Sequence, residues 1–205
     1  TMFPLQATEL HIDHTEFIST FLYHIENERL FSREEYRKSA QVDPFFLTDE
    51  HAVVLGSNLK HPFKIKRLVG QSGMSYGALG KNAITALSMG LAKAGTWMNT
   101  GEGGLSEYHL KGNGDIIYQI GPGLFGVRDH DGNFNRDMFI NLAEHNNVRA
   151  FEIKLAQGAK TRGGHMEGNK VTEEIARIRN VKPYETINSL NRFDFIKNPT
   201  DLLNF

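Results

Sequence analysis

From Phe63 to the end of the chain, short apolar runs alternate with longer segments of helical periodicity. FKIKRLV, from residue 63, alternates apolar and basic positions and predicts a strand. The Gly/Ser loop GQSGMSYGALG follows, and then Ile84, Leu87, Leu91 and Ala94 fall on one face of a helix. TWMNT predicts a short strand running into GEGG, and DIIYQIG predicts a third strand. Asn135 is placed to cap a helix carrying Met138, Phe139 and Leu142. VRAFEIKLA reads as a fourth strand. Thr172 caps the next helix, with Glu173 and Glu174 in its first turn and Arg177 and Arg179 in its last, as the helix dipole favours. ETINSL is a fifth strand candidate, and Asn198–Pro199 opens a last helix.

Strands alternating with helices predict an α/β fold with a parallel sheet. The loops after the strands hold the Gly, Asn, Gln, Lys and Glu residues, where (β/α) barrels keep their chemistry. Residues 1–62 differ. Asp13 with Glu16 is a helix start followed by Phe17, Phe21, Leu22 and Ile25 on one face, and Ser32 with Glu35 is a capping box. Pro44 and Pro62 punctuate the loop beyond. The expected organisation is a helical lead-in over 1–62 and a βα domain over 63–205.

Composition narrows the function. The chain is 40% hydrophobic and 23% charged, with a net charge of -1, so no basic nucleic-acid footprint is present. It has no cysteine, which removes disulfides, thiolate nucleophiles and cysteine-held iron–sulfur clusters. No apolar run approaches the ~20 residues that span a bilayer. TMFPLQATELHID lacks the charged and apolar regions of a secretory signal. A soluble cytoplasmic protein is the expectation. His11, His14, His109, His130, His145 and His165 form no ligand set, so no metal is expected. GPGLFG is not the dinucleotide fingerprint, because no acidic residue ends a following strand at the right distance.

Three loops carry candidate chemistry. In SGMSYGALG, from residue 72, small residues let a ligand approach the backbone, though a plain strand–helix turn has the same composition. NTGEGG, from residue 99, surrounds Glu102 with three glycines, either as a solvated turn or as a loop presenting Asn99 and Glu102 to a bound molecule. The third loop follows EIKLA. Strand alternation puts Glu152, Lys154 and Ala156 on one face. A lysine facing inward is costly to bury without a negative partner, which marks Lys154, unless it pairs with Glu152 or sits at a solvated edge. Gln157, Lys160 and Arg162 follow as a polar, basic rim suited to an anionic small molecule.

SGMSYGALGKNAI, NTGEGG, DIIYQIGPGLFGVR and EIKLAQGAKTRGG, in this order, resemble the FMN-binding synthase domain of glutamate synthases. The likeness is greater to the shorter single-barrel glutamate synthase-related proteins, and it covers roughly residues 27 to 205. It implies a (β/α)8-barrel type of fold of which the first four to five βα units are present. It also implies FMN as cofactor and reduction of 2-iminoglutarate, made from 2-oxoglutarate and ammonia, to L-glutamate with electrons from an external donor. By matching position, Gly73, Met74 and Ser75 would lie against the flavin, and Asn99 and Gln119 would help hold it. Lys154 would stand near the flavin N1–C2=O edge and stabilise the anionic reduced form. Glu102, Gln157, Lys160 and Arg179 would bind substrate, with Lys154 and Glu102 as the catalytic pair.

The sequence also departs from that pattern. His165 stands where glutamate synthases often have Gln. SLNRFDF, from residue 189, replaces an S-P-x-R-H turn, so Leu190 and Phe193 take the places of Pro and His. Without cysteines no internal iron–sulfur relay is available. A complete barrel takes about 250 residues, more than follow Phe63. A half-barrel is therefore expected to bind FMN weakly or not at all by itself, and to be either completed by a second chain or truncated from a longer parent. The alternative is a catalytically incomplete half-barrel serving as an assembly or interaction module. A hydroxy-acid-oxidising FMN barrel is disfavoured, since no histidine base falls in a matching loop.

Overall fold

The computed structural model describes residues 47, 49, 51–158 and 163–205. The helices expected around Asp13 and Ser32 lie outside the described residues. The chain divides into two compact units, Thr1–Val69 and Gly70–Phe205.

In the first unit, β1 (Val53–Leu55) and β2 (Phe63–Ile65) form an antiparallel ribbon, with Val53 opposite Ile65 and Leu55 opposite Phe63. Lys64 and Lys66 both pair with Asp49. The strand expected at FKIKRLV is therefore real but short. It pairs antiparallel, whereas its alternation predicts the first strand of a parallel sheet. A period-two pattern fixes which side chains share a face and says nothing about the direction of the neighbour.

The second unit is mixed α/β. Its parallel order starts at Gln71, which bridges to Met98, the first residue of β3 (Met98–Asn99). Helix α1 (Lys81–Ala94) leads into β3. β4 (Ile116–Ile120) and β5 (Val148–Ile153) complete a parallel sheet ordered β3-β4-β5, with α2 (Arg136–Ala143) between β4 and β5. Asn135 caps α2 as expected, accepting from the Met138 amide at 3.0 Å. The connection from β3 to β4 contains only a 3-10 turn, Gly101–Gly103, so strict strand–helix alternation fails there.

The sheet has two unlike faces. Ile116, Tyr118 and Ile120 of β4 are buried, and Leu87 and Leu91 of α1, Phe139 and Leu142 of α2, and Phe151 and Ile153 of β5 pack against that core. Ala94 is exposed, one step off the apolar face its spacing implies. The opposite face carries Asn99, Ile117, Gln119, Ala150 and Glu152, set there by alternation together with a register shift between β4 and β5 at Ile116/Ile117.

Beyond β5 the chain leaves the parallel sheet. β6 (Gly164–Met166) pairs antiparallel with β7 (Ile187–Ser189), the fifth strand candidate. Between them α3 (Glu173–Arg179) is capped by Thr172, whose hydroxyl accepts from the Ile175 amide at 3.3 Å. Five strands of one parallel sheet are the sequence expectation; among the described residues, β3, β4 and β5 form the parallel sheet, extended by the Gln71 bridge to Met98. α4 (Pro199–Asn204) opens at Asn198, which accepts from the Asp201 amide at 3.0 Å. No helix among the described residues is long and apolar enough to cross a membrane.

Candidate functional site

Asn99 ends β3, Gln119 sits near the end of β4, and Glu152 and Lys154 flank the end of β5. Parallel strands carry these side chains to one edge, the carboxyl ends, where open and closed α/β sheets place their ligands. In the β4–β5 register Gln119 is opposite Glu152.

Two linked groups form there. In the first, Glu152 accepts from the amide nitrogens of both Asn99, at 3.0 Å, and Gln119. Asn99 Oδ1 accepts from the Gly101 amide at 2.9 Å, and Gln119 N–H donates to Thr100 Oγ1 at 3.1 Å. In the second, Lys154 Nζ lies 3.3 Å from Glu102 Oε1 and donates to Gln157 Oε1 at 3.0 Å. Gln157 Nε2 donates to Glu102 Oε2 at 2.8 Å, Ser189 Oγ at 3.0 Å and the Leu190 carbonyl at 3.3 Å. Lys154 thus meets Glu102, not Glu152, and its neutralising partner comes from a different loop.

The glycines allow these approaches. A Cβ on Gly73 would stand 3.3 Å from Gln119 Nε2 and 3.4 Å from Asn99 Oδ1. A Cβ on Gly121 would come within 2.7 Å of Glu102 Cβ, so this first glycine of GPGLFG gives Glu102 its place. Met74 is held by its backbone: its amide donates to the Asn99 carbonyl at 3.2 Å, and its carbonyl accepts from His109 Nε2 at 2.9 Å. Ser75 stands against Gly101 and Gly103, and its carbonyl accepts from the Leu79 amide at 3.0 Å.

Arg179, at the end of α3, makes no hydrogen bond to this cluster. It is 6% exposed, its Nη2 donates to the Tyr76 carbonyl at 3.2 Å, and its guanidinium lies 5.1 Å from the Phe125 ring centroid. Its Nε is buried with no partner among the described residues, an orphan donor of the kind that an anion satisfies. Burial pulls its pKa below the usual guanidinium value, and the Glu102 charge opposes that. Tyr76 ties the same helix to the first loop, its hydroxyl donating to Glu174 at 2.6 Å. Burial raises the Tyr76 pKa well above the usual phenol value, helped by Glu174, so the hydroxyl keeps its proton.

The structure therefore brings Asn99, Glu102, Gln119, Lys154 and Gln157 to one edge, with Gly73 beside them. Lys160 and Arg162 lie outside the described residues. The sequence reading missed Glu152 as the shared acceptor, Ser189 as a Glu102 and Gln157 partner, and His109 as a support of Met74. Register along β4 and β5 is the signal that points to Glu152. His165, at a position expected to differ from relatives, bonds Asn188 at 2.8 Å on the exposed side of the β6–β7 ribbon. An open cavity of about 490 Å³ lies to one side, lined by Arg128, Phe134, Leu190, Phe195 and Phe205.

Residues 9–205 match the profile of the conserved region in glutamate synthase. The chain is 54% identical to the glutamate synthase large subunit-like protein YerD of Bacillus subtilis, over 100% of this chain and 39% of that protein. It is 35% identical to the archaeal-type glutamate synthase [NADPH] of Thermotoga maritima, over 64% of this chain and 24% of the relative. It is 40% identical to the archaeal glutamate synthase [NADPH] of Methanocaldococcus jannaschii, over 52% of this chain and 18% of the relative. The chain thus spans well under half the length of each of these relatives. A profile match over nearly the whole chain places the chain in the glutamate synthase family.

Proposed function

We propose that this chain is the first half of an FMN-binding (β/α) barrel whose complete form reduces 2-iminoglutarate, from 2-oxoglutarate and ammonia, to L-glutamate. One observation carries the reading: Lys154, Glu102 and Gln157 form one hydrogen-bonded group beside Asn99, Gln119 and Glu152, all at the carboxyl ends of parallel strands.

The residues fit a flavin by their chemistry. Two amides, a carboxylate and an ammonium make a mixed donor–acceptor row, which suits the carbonyl and N–H edge of an isoalloxazine. Gly73 keeps the facing loop close to Asn99 and Gln119. Bound FMN would supply the hydride for the imine carbon. Asn99 and Gln119 would hold its polar edge, with Glu152 orienting both amides. Lys154 would place positive charge at the N1–C2=O side, favouring the reduced anion. Gln157 and Lys154 hold the Glu102 carboxylate, which would face the substrate, and Lys160 and Arg179 would pair with the two carboxylates of 2-oxoglutarate. Electrons come from an external donor, and the remaining strands, with the phosphate-binding loops, come from the rest of a longer protein or from a second chain.

Phe193 favours a second reading, a non-catalytic assembly module. It takes the place of a histidine expected from the family resemblance and is 2% exposed in the core, against Phe195 and Phe205. The absorbance spectrum and equilibrium titration of the purified chain with FMN test the first reading. It expects saturable binding weaker than about 10 μM, the affinity of a site lacking its phosphate contacts. Stoichiometric binding tighter than that contradicts the half-site. An FMN titration with no response at millimolar concentration favours the assembly module.

A further inference from the structure

His109 has no exposed surface. It lies on the segment that follows NTGEGG, isolated in sequence from every other histidine. Its two ring nitrogens meet partners that each work in one direction only. Nδ1 lies 3.2 Å from the Ser106 amide, which can only donate. Nε2 lies 2.9 Å from the Met74 carbonyl, which can only accept. Nδ1 must therefore be bare and Nε2 must carry the proton. Ser106 Oγ, 2.7 Å from Nδ1, then donates to the same lone pair. The backbone of His109 is fixed as well: its carbonyl accepts from the buried Ser88 hydroxyl of α1 at 2.6 Å. One residue thus joins the loop before α1, α1 itself and the segment after Glu102.

The Met74 peptide is held on both sides, by Asn99 at its amide and by His109 at its carbonyl. A Cβ on the adjoining Gly73 would stand 3.4 Å from Asn99 Oδ1 and 3.3 Å from Gln119 Nε2, so the loop packs directly on that pair.

We infer that His109 is a positioning residue: a neutral imidazole, protonated on Nε2, that holds the Met74 carbonyl and so sets the distance between the first glycine loop and the Asn99–Gln119 pair. Its consequence for flavin binding rests on the reading under Proposed function; its consequence for loop geometry does not.

The test uses the full chain and two variants. His109→Gln keeps an amide donor near the Nε2 position. His109→Phe keeps the ring and removes both polar contacts. Long-range 1H–15N NMR of the wild type is expected to show the Nε2–H tautomer at neutral pH. An Nδ1–H tautomer or an imidazolium overturns the inference, and this arm stands even if the Phe variant does not fold. Hydrogen exchange at the Met74–Leu79 amides is expected to quicken about tenfold in His109→Phe, the effect of one lost buried hydrogen bond, and much less in His109→Gln. Equal acceleration throughout the core, or none in the loop, overturns it. FMN affinity is expected to fall in His109→Phe and to recover in His109→Gln. If the tautomer and the loop exchange are as expected while the wild type binds no FMN, the positioning role stands and the flavin reading fails.

Discussion

Lys154 and Glu102 face each other at 3.3 Å, the lysine from the end of β5 and the glutamate from the turn after β3. Their side chains are 30% and 17% exposed, so the pair is neither a solvated surface bridge nor a dry one. Gln157 touches both, which fixes the geometry and lowers the entropy cost of holding it. A double-mutant cycle with Lys154→Met and Glu102→Gln is expected to give a coupling of about 1 kcal/mol by urea unfolding. Additive effects would mean that the two charges do not interact.

Gln157 concentrates more bonds than either charge. It is 8% exposed and bonds Lys154, Glu102, Ser189 and Leu190. Gln157→Leu keeps much of the volume and strips every one of these contacts. Stability is expected to drop by about 1–3 kcal/mol, the cost of unsatisfied buried polar groups. Chemical denaturation reads this directly; a change under half a kcal/mol by that measurement, roughly the size of a surface substitution, would contradict it.

At Gly121 the issue is space. An added methyl would meet Glu102 Cβ at 2.7 Å, and that atom is tied to the backbone. Gly121→Ala is expected to cost about 1–3 kcal/mol through overpacking and to displace the Glu102 carboxylate from Lys154. Thermal unfolding measures the first effect, and the side-chain ammonium signal of Lys154 in NMR reports the second.

His109 gives the second unit a pH dependence. Burial holds its imidazole below the ordinary value, with the Met74 carbonyl acting in the opposite direction. The unfolded chain therefore takes up this proton first as pH falls. The stability contributed here is full above the unfolded value of about 6.5 and is lost as pH falls through the folded value. Urea midpoints are expected to decline below about pH 6.5. His109→Gln should have a shallower decline than the wild type. Identical slopes would assign the effect to other groups.

Much of this site is legible in the sequence, because it depends on local rules. Alternation on VRAFEIKLA puts Glu152 and Lys154 on one face, and the Asn135 and Thr172 caps follow from side-chain chemistry at helix starts. Partners across the fold are less legible. Lys154 meets Glu102, while Asn99 and Gln119 both bond Glu152 Oε1, and only the register of the strands reveals that sharing. β6 is three residues long and stable only against β7, so no local pattern marks it. FKIKRLV has the right period and the wrong neighbour: it pairs with Val53–Leu55. His109 looks idle in sequence because two of its ring partners, the Ser106 amide and the Met74 carbonyl, are backbone groups that any residue could supply.

The central claim is that the strand-end cluster around Lys154 meets a flavin. Two-dimensional 1H–15N NMR of the chain, titrated with oxidised FMN to millimolar concentration, tests it most directly. Saturable shifts confined to Gly73, Ser75, Asn99, Gln119 and Lys154, and weakened in Lys154→Met, are the expected result. No shifts at those residues, or shifts centred on the cavity beside Arg128 and Phe205, would contradict it.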